Sequence, residues 1–161
     1  MVKSVFSDAK GLVQSTGTGI SIEQRGATGA AYGDAVSAVN SGAGDKEMTV
    51  VQPAGTVLID LGVVIKTAIA GSSGNINVKA GTADDGAQIC AAAALMSSAT
   101  AVAVGVMQSV SGGSGEGAAA LAFVADSALY TATERTIFIR AEQSATVTAG
   151  EYTPFIRFIR I

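Results

Sequence analysis

Val57-Leu58-Ile59-Asp60-Leu61-Gly62-Val63-Val64-Ile65-Lys66 decides the fold class. Val57, Ile59, Leu61, Val63 and Ile65 recur at every second position, and Leu58, Asp60, Gly62, Val64 and Lys66 fall between them. Successive side chains of an extended chain point to opposite sides, so a period of two marks a strand with one face in a core. Residues 75–80 repeat the pattern, with Ile76, Val78 and Ala80 opposed by Asn75, Asn77 and Lys79. Gly71-Ser72-Ser73-Gly74 lies between the two runs and predicts a hairpin connection.

Further strands are predicted downstream. Residues 100–107 alternate Val102, Val104 and Val106 with Ala and Gly; residues 120–125 carry Leu121 and Phe123; residues 136–141 carry Ile137 and Ile139 on one face. In residues 151–161, Ile156 and Phe158 face one way and Phe155, Ile159 and Ile161 the other. Apolar side chains on both faces predict a strand buried on both sides, or one with a core face and a subunit-interface face. Residues 147–150 read as the turn leading into it. Residues 87–98 allow either a short helix capped by Asp85 or an Ala-rich strand. Many short strands and almost no helix predict an all-β fold, an antiparallel β-sandwich or barrel.

Composition supports that class. Val and Ile together number 29 against 6 Leu, and charged residues make up only 14% of the 161 residues. The composition also narrows the chemistry. The chain has no His, so it has no imidazole base, no Ser-His-Asp triad and no His metal ligand. Its single cysteine, Cys90, forms no intramolecular disulfide and no thiolate cluster, and it agrees with a reducing cytosol as the place of synthesis. A net charge of −3 argues against a nucleic-acid partner. The uncharged stretch between Asp85 and Glu116 is Ala-, Gly-, Ser- and Thr-rich and lacks an aromatic belt, which argues against a membrane span. The first ten residues hold no apolar run of signal-peptide length.

Residues 1–46 form a Gly/Ser/Ala-rich N-terminal arm, distinct from a β-sandwich domain over residues 47–161. Only residues 19–24 alternate there, with Ile20 and Ile22 on one side, and residues 34–40 allow one helical turn. Such a stretch buries too little apolar area to offset its chain entropy alone, so it is either a flexible tail or an arm that orders against a partner.

The motif search yields no catalytic centre. Gly112-Gly113-Ser114-Gly115-Glu116-Gly117 lacks the Lys-Ser/Thr of a P-loop and the Rossmann spacing, and reads as a hairpin tip. Asp84-Asp85-Gly86 lacks the alternating ligands of an EF-hand and reads as a turn. Arg135, Arg140, Arg157 and Arg160 cluster in the last strands. Arg140 and Arg157 are placed to face each other across a hairpin, either for contact with an acidic partner surface or paired with Glu134, Glu142 and Glu151.

The chain resembles the small head decoration (cement) proteins of tailed bacteriophages. Three features carry the resemblance: the segment Phe6-Ser7-Asp8-Ala9-Lys10-Gly11-Leu12-Val13-Gln14 ahead of the β domain; Ile59-Asp60-Leu61-Gly62-Val63-Val64-Ile65 followed by Asn77-Val78-Lys79-Ala80-Gly81-Thr82-Ala83-Asp84-Asp85-Gly86; and Thr148-Ala149-Gly150-Glu151 leading into the apolar residues 155–161. The resemblance implies a jelly-roll-like domain with an extended N-terminal arm, a homotrimer, and attachment to the major capsid protein on the virion surface. It implies no enzyme activity, cofactor or metal. The residues expected at capsid or subunit contacts are Phe6, Leu12, Val13, Ile20, Ile22, Arg140, Arg157 and Arg160. The competing expectation is a virion receptor-binding or fibre-base module of the same fold class.

Overall fold

One strand organises the sheet. The computed structural model of the chain describes residues 4–7, 11–14, 28–113, 119–144 and 146–161. Its strands are β1 (Ser4–Ser7), β2 (Gly11–Gln14), β3 (Thr28–Tyr32), β4 (Val36–Ser37), β5 (Gly44–Gln52), β6 (Thr56–Gly81), β7 (Cys90–Val102), β8 (Met107–Ser109), β9 (Gly112–Gly113), β10 (Tyr130–Thr131), β11 (Arg135–Gln143) and β12 (Val147–Arg160). A 3-10 turn at Asp126–Ala128 is the one helical element among the described residues. The 26 residues of β6 pair along one edge with β11 and β12, which follow each other end to end. The register runs from Phe138↔Gly81 through Gln143↔Ile76 and Val147↔Gly71 to Arg160↔Thr56. The other edge of β6 takes β7, β8 and β10.

This long ribbon belongs to two layers. At one end β5, β11 and β7 flank it; at the other β3, β4, β12, β8 and β10 do so. The layers fold onto each other: β5 packs against β12, β3 and β4, and Gln108 of β8 donates hydrogen bonds to the Ala93 and Ala94 carbonyls of β7. The result is an antiparallel β-sandwich whose corner is turned within single strands. Bulges bend a strand and raise its local twist, and four register shifts lie along the β6–β12 pairing. Met48, Val50, Leu61, Val63, Ile65, Ile76, Val78, Ile137, Ile139 and Ile156 fill the interior.

The bends explain where the chain departs from its simple pattern. Residues 71–74 make no hairpin; β6 runs straight through them. The neighbouring strand breaks at the same level, and serine hydroxyls replace the missing ladder bonds. Ser72 N–H donates to the Thr146 carbonyl (3.0 Å), Thr146 N–H to Ser72 Oγ (3.2 Å) and Asn75 N–H to Ser144 Oγ (2.9 Å). At Ile59 a bulge leaves that residue without a partner on β12, between Asp60↔Arg157 and Leu58↔Phe158. A one-residue slip moves side chains to the opposite face. Leu58 therefore joins Leu61, Val63 and Ile65 in the core, while Val57 and Ile59 are only half-buried.

Other elements also differ from expectation. Residues 87–98 are strand where they enter β7, because their backbone completes the edge of β6. Residues 100–107 split between β7, a turn and β8. Residues 120–125 contribute an isolated bridge, Cys90↔Phe123, and no strand. Residues 147–150 already belong to β12. The 34–40 stretch is not helical: Ala38 N–H donates to the Gly150 carbonyl and Asn40 N–H to the Val147 carbonyl (both 2.9 Å). The composition change near residue 47 is not the sheet's boundary, since β3, β4 and the start of β5 precede it and β3 pairs with β12 over Phe155↔Tyr32 to Ile159↔Thr28.

Candidate functional site

Polar side chains gather in three places, and each follows from the ribbon. The first is the corner itself. Tyr152 is fully buried, and Gln143 Nε2 donates to its hydroxyl (2.8 Å) and to the Ala38 carbonyl (3.0 Å). Asn40 Nδ2 donates to Gln143 Oε1, and Asn40 Oδ1 accepts from Val147 N–H (3.1 Å). Burial pushes the Tyr152 phenol up to about 12, so this seam stays uncharged.

The second is a groove on the outside of the β3–β12–β6–β8 layer. Tyr32, Phe155, Arg157, Asp60, Val64 and Met107 line about 140 Å³. Register builds it: Phe155 lies between Tyr32 on β3 and Gly62 on β6, Arg157 lies opposite Asp60, and Val64 lies opposite Met107. A Cβ on Gly62 would run into the Gln108 backbone oxygen, so glycine lets β8 come close enough to wall the groove. The Tyr32 and Phe155 rings meet at 6.4 Å, tilted, and Tyr32 is 68% exposed. Asp60 is buried. It accepts from Ser111 N–H (3.2 Å) and Ser111 Oγ–H (2.8 Å), and Arg157 Nη1 stands 3.9 Å away with its side chain 53% exposed.

The third is a charge cluster at the far end of the ribbon, where the turn after β6 folds beside β5 and β11. Arg140 meets Asp45 (2.5 Å), Asp84 (3.3 Å), Asp85 (3.5 Å) and Glu47 (3.9 Å). Lys79 meets Asp85 (2.5 Å) and Glu142 (2.7 Å). Hydrogen bonding to Lys79 holds the Asp85 carboxyl below its ordinary range, and Asp85 and Glu142 in turn hold the Lys79 ammonium up. Glu47 goes the other way: burial and the neighbouring Asp84 push its carboxyl up, and neither of its buried oxygens has a hydrogen-bond partner.

The expected contact residues scatter over these places. Arg140 and Arg157 do not face each other. Both strands pair with β6, so the two arginines sit in different layers. Neither pairs with Glu134, Glu142 or Glu151: Arg140 has the Asp45 cluster and Arg157 has Asp60, while Glu142 and Glu151 meet Lys79 and Lys66. Arg160 is exposed opposite Thr56 at the strand end. Phe6, Leu12 and Val13 lie in the β1–β2 ladder, with Phe6↔Leu12 and Val5↔Val13 in register; Ile20 and Ile22 lie outside the described residues. Tyr32, Asp60 and the Asp45–Asp84 side of the cluster escaped the sequence reading. The signal for Asp60 was there: a carboxylate inside a Val/Ile/Leu run needs a buried partner.

Cys90 is buried, and burial with the nearby Asp60 charge pushes its thiol up to about 12, far from a reactive thiolate. Among the described residues no group of three His, Cys, Asp or Glu is placed to hold a metal ion, and no helix is long and apolar enough to cross a membrane. The chain matches no protein-family model, no curated protein and no solved structure.

Proposed function

We propose that the chain is a structural virion protein. It decorates and stabilises the outer surface of a tailed-phage capsid as a homotrimer, attached to the major capsid protein in part through its N-terminal residues, and has no catalytic role. The observation that carries this reading is the use made of side chains. Buried polar groups serve the fold, whereas some large apolar groups stand outside it. Tyr32, Tyr130 and Ile161 are exposed on one layer, and Val57 and Ile159 lie half-buried in register with Tyr130 across three strands. Exposed apolar surface of this kind supports a role in contact with other proteins. Weak contacts repeated three times on one trimer raise the effective concentration of the others, so the whole holds tightly.

Quantitative gel densitometry of purified particles tests the reading. A copy number of the same order as the major capsid protein is expected. A trace ratio would point to a fibre-base or receptor-binding component, and absence from particles would overturn the virion role. The N-terminal contribution is tested by removing residues 1–27 only, because residues 28–46 supply β3, β4 and part of β5. The truncated protein should keep its unfolding midpoint and lose most of its affinity for undecorated capsids; unchanged affinity would dismiss the arm mechanism.

A further inference from the structure

The groove on the outside of the β3–β12–β6–β8 layer holds one cation and one anion, so it has no net charge to offer. It offers unused hydrogen-bonding capacity instead. Arg157 Nη1 stands 3.9 Å from Asp60 Oδ2, beyond hydrogen-bond length, and among the described residues no hydrogen bond takes an Arg157 N–H. Asp60 accepts two bonds from Ser111, whereas a carboxylate has about four acceptor sites. A hydroxyl both accepts and donates, so it can bridge the two, accepting from Arg157 and donating to Asp60. The walls are apolar. Tyr32 lies largely exposed on the edge strand β3 with buried Phe155 beside it, and half-buried Val64 and Met107 close the other side. At about 140 Å³ the space is below the roughly 300–1,000 Å³ of drug-sized ligand sites, which limits the occupant to a single small ring.

We infer that this groove binds one ring of a neutral carbohydrate, with its C–H face on the Tyr32 ring and neighbouring hydroxyls on Arg157 and Asp60. A pyranose divides its surface as the groove does, apolar on a face and hydroxyl-bearing around the rim. An amphipathic tyrosine suits such a face. The other classes of occupant fit less well. An anion would be set against the Asp60 carboxylate and a cation against Arg157. An apolar side chain would cover the guanidinium and leave its donors unpaired, which costs free energy. The site is complete within one chain, so it does not rest on the virion reading. Where many copies are displayed together, weak single-ring binding is multiplied by repetition.

The test is NMR of the full chain with the methyl glycosides of glucose, galactose, mannose, rhamnose and N-acetylglucosamine, and with galacturonic acid as the charged comparison. At least one neutral glycoside is expected to bind with millimolar affinity, showing saturation transfer to its ring protons and shifting the Arg157 Nε–H signal. Raising the salt should leave that affinity unchanged, because no net charge is recognised. Y32A and R157M should each weaken binding at least tenfold. Tyr32 is exposed, so Y32A should keep the wild-type unfolding midpoint, and it carries the test even if R157M disturbs the fold around Asp60. Three results would overturn the assignment: no neutral glycoside bound at tens of millimolar, binding that survives Y32A undiminished, or binding confined to galacturonic acid and lost with salt. None of them touches the copy-number test of the virion role.

Discussion

The corner seam and the far charge cluster solve the same problem with opposite chemistry. Both hold β11 or β12 against elements from elsewhere in the chain. The seam uses neutral groups, half-buried Asn40 and buried Gln143 and Tyr152, bonded to one another and to backbone. The cluster uses ions that are partly exposed and unequal in number, with Arg140 shared among four carboxylates. Buried polar groups are costly unless every atom is paired, so a satisfied neutral seam commits the chain to one corner. Exposed ion pairs contribute little each, so the cluster tunes stability and leaves charge available for contact.

The largest effect should come from breaking the seam. Tyr152→Ala removes a fully buried ring and its hydroxyl, and is expected to cost about 3–5 kcal/mol by denaturant unfolding. Tyr152→Phe keeps the ring and should cost about 1 kcal/mol, since Gln143 Nε2 retains the Ala38 carbonyl. Near-equal losses for the two variants would show that the hydroxyl, and not packing, holds the corner. Gly33→Ala probes the same fold from the backbone side. Its Cβ would meet the Thr49 carbonyl oxygen of β5 and the Pro154 ring, so about 1–3 kcal/mol is expected; a neutral result would mean that β5 and the β3–β4 link are not held in contact.

That contrast also explains what could be read in advance. Strand character at 57–66, 75–80, 136–141 and 151–161 was legible because alternation is local. The phase was not, because the bulge at Ile59 depends on the β12 register. The serines at 72 and 144 look like turn residues in one dimension; in the sheet their hydroxyls accept backbone N–H groups where β11 gives way to β12 along a continuous β6. β3 and β4 hid in a Gly/Ala-rich stretch because glycine at 33 is needed for close approach and short side chains suffice at an edge. Of the candidate site, Arg140 and Arg157 were legible as charges in apolar strands. Their partners were not, since Asp60 and the Asp45–Asp84 group reach them only through strand pairing.

In the cluster, Arg140→Met should cost about 1 kcal/mol, and more at pH 8 than at pH 5, because the guanidinium restrains the upward shift of the Glu47 carboxyl and its loss lets that carboxyl rise further. Urea unfolding at pH 5 and pH 8 checks this; equal losses at both would mean that Arg140 acts by packing alone.

The smallest and most specific effect belongs to Glu47. Its carboxyl is raised above the ordinary 4.5, so the folded chain holds that proton more tightly than the unfolded chain does. The associated stability is complete below 4.5 and is lost as pH rises through the raised value. Asp85 has the opposite sign: its carboxyl is lowered below the ordinary 3.8, so its contribution is complete above 3.8 and is lost as pH falls through the lowered value. Glu47 therefore shapes the alkaline side of the stability optimum and Asp85 the acid side. Glu47→Gln cannot ionise, and its melting temperature should hold steady on moving upward from pH 4.5, where wild type declines. Asp85→Asn should flatten only the acid limb. If wild type and Glu47→Gln give parallel melting curves from pH 3 to 8, Glu47 is solvated like an ordinary surface acid, and the asymmetry between the neutral seam and the charged cluster loses its pH signature.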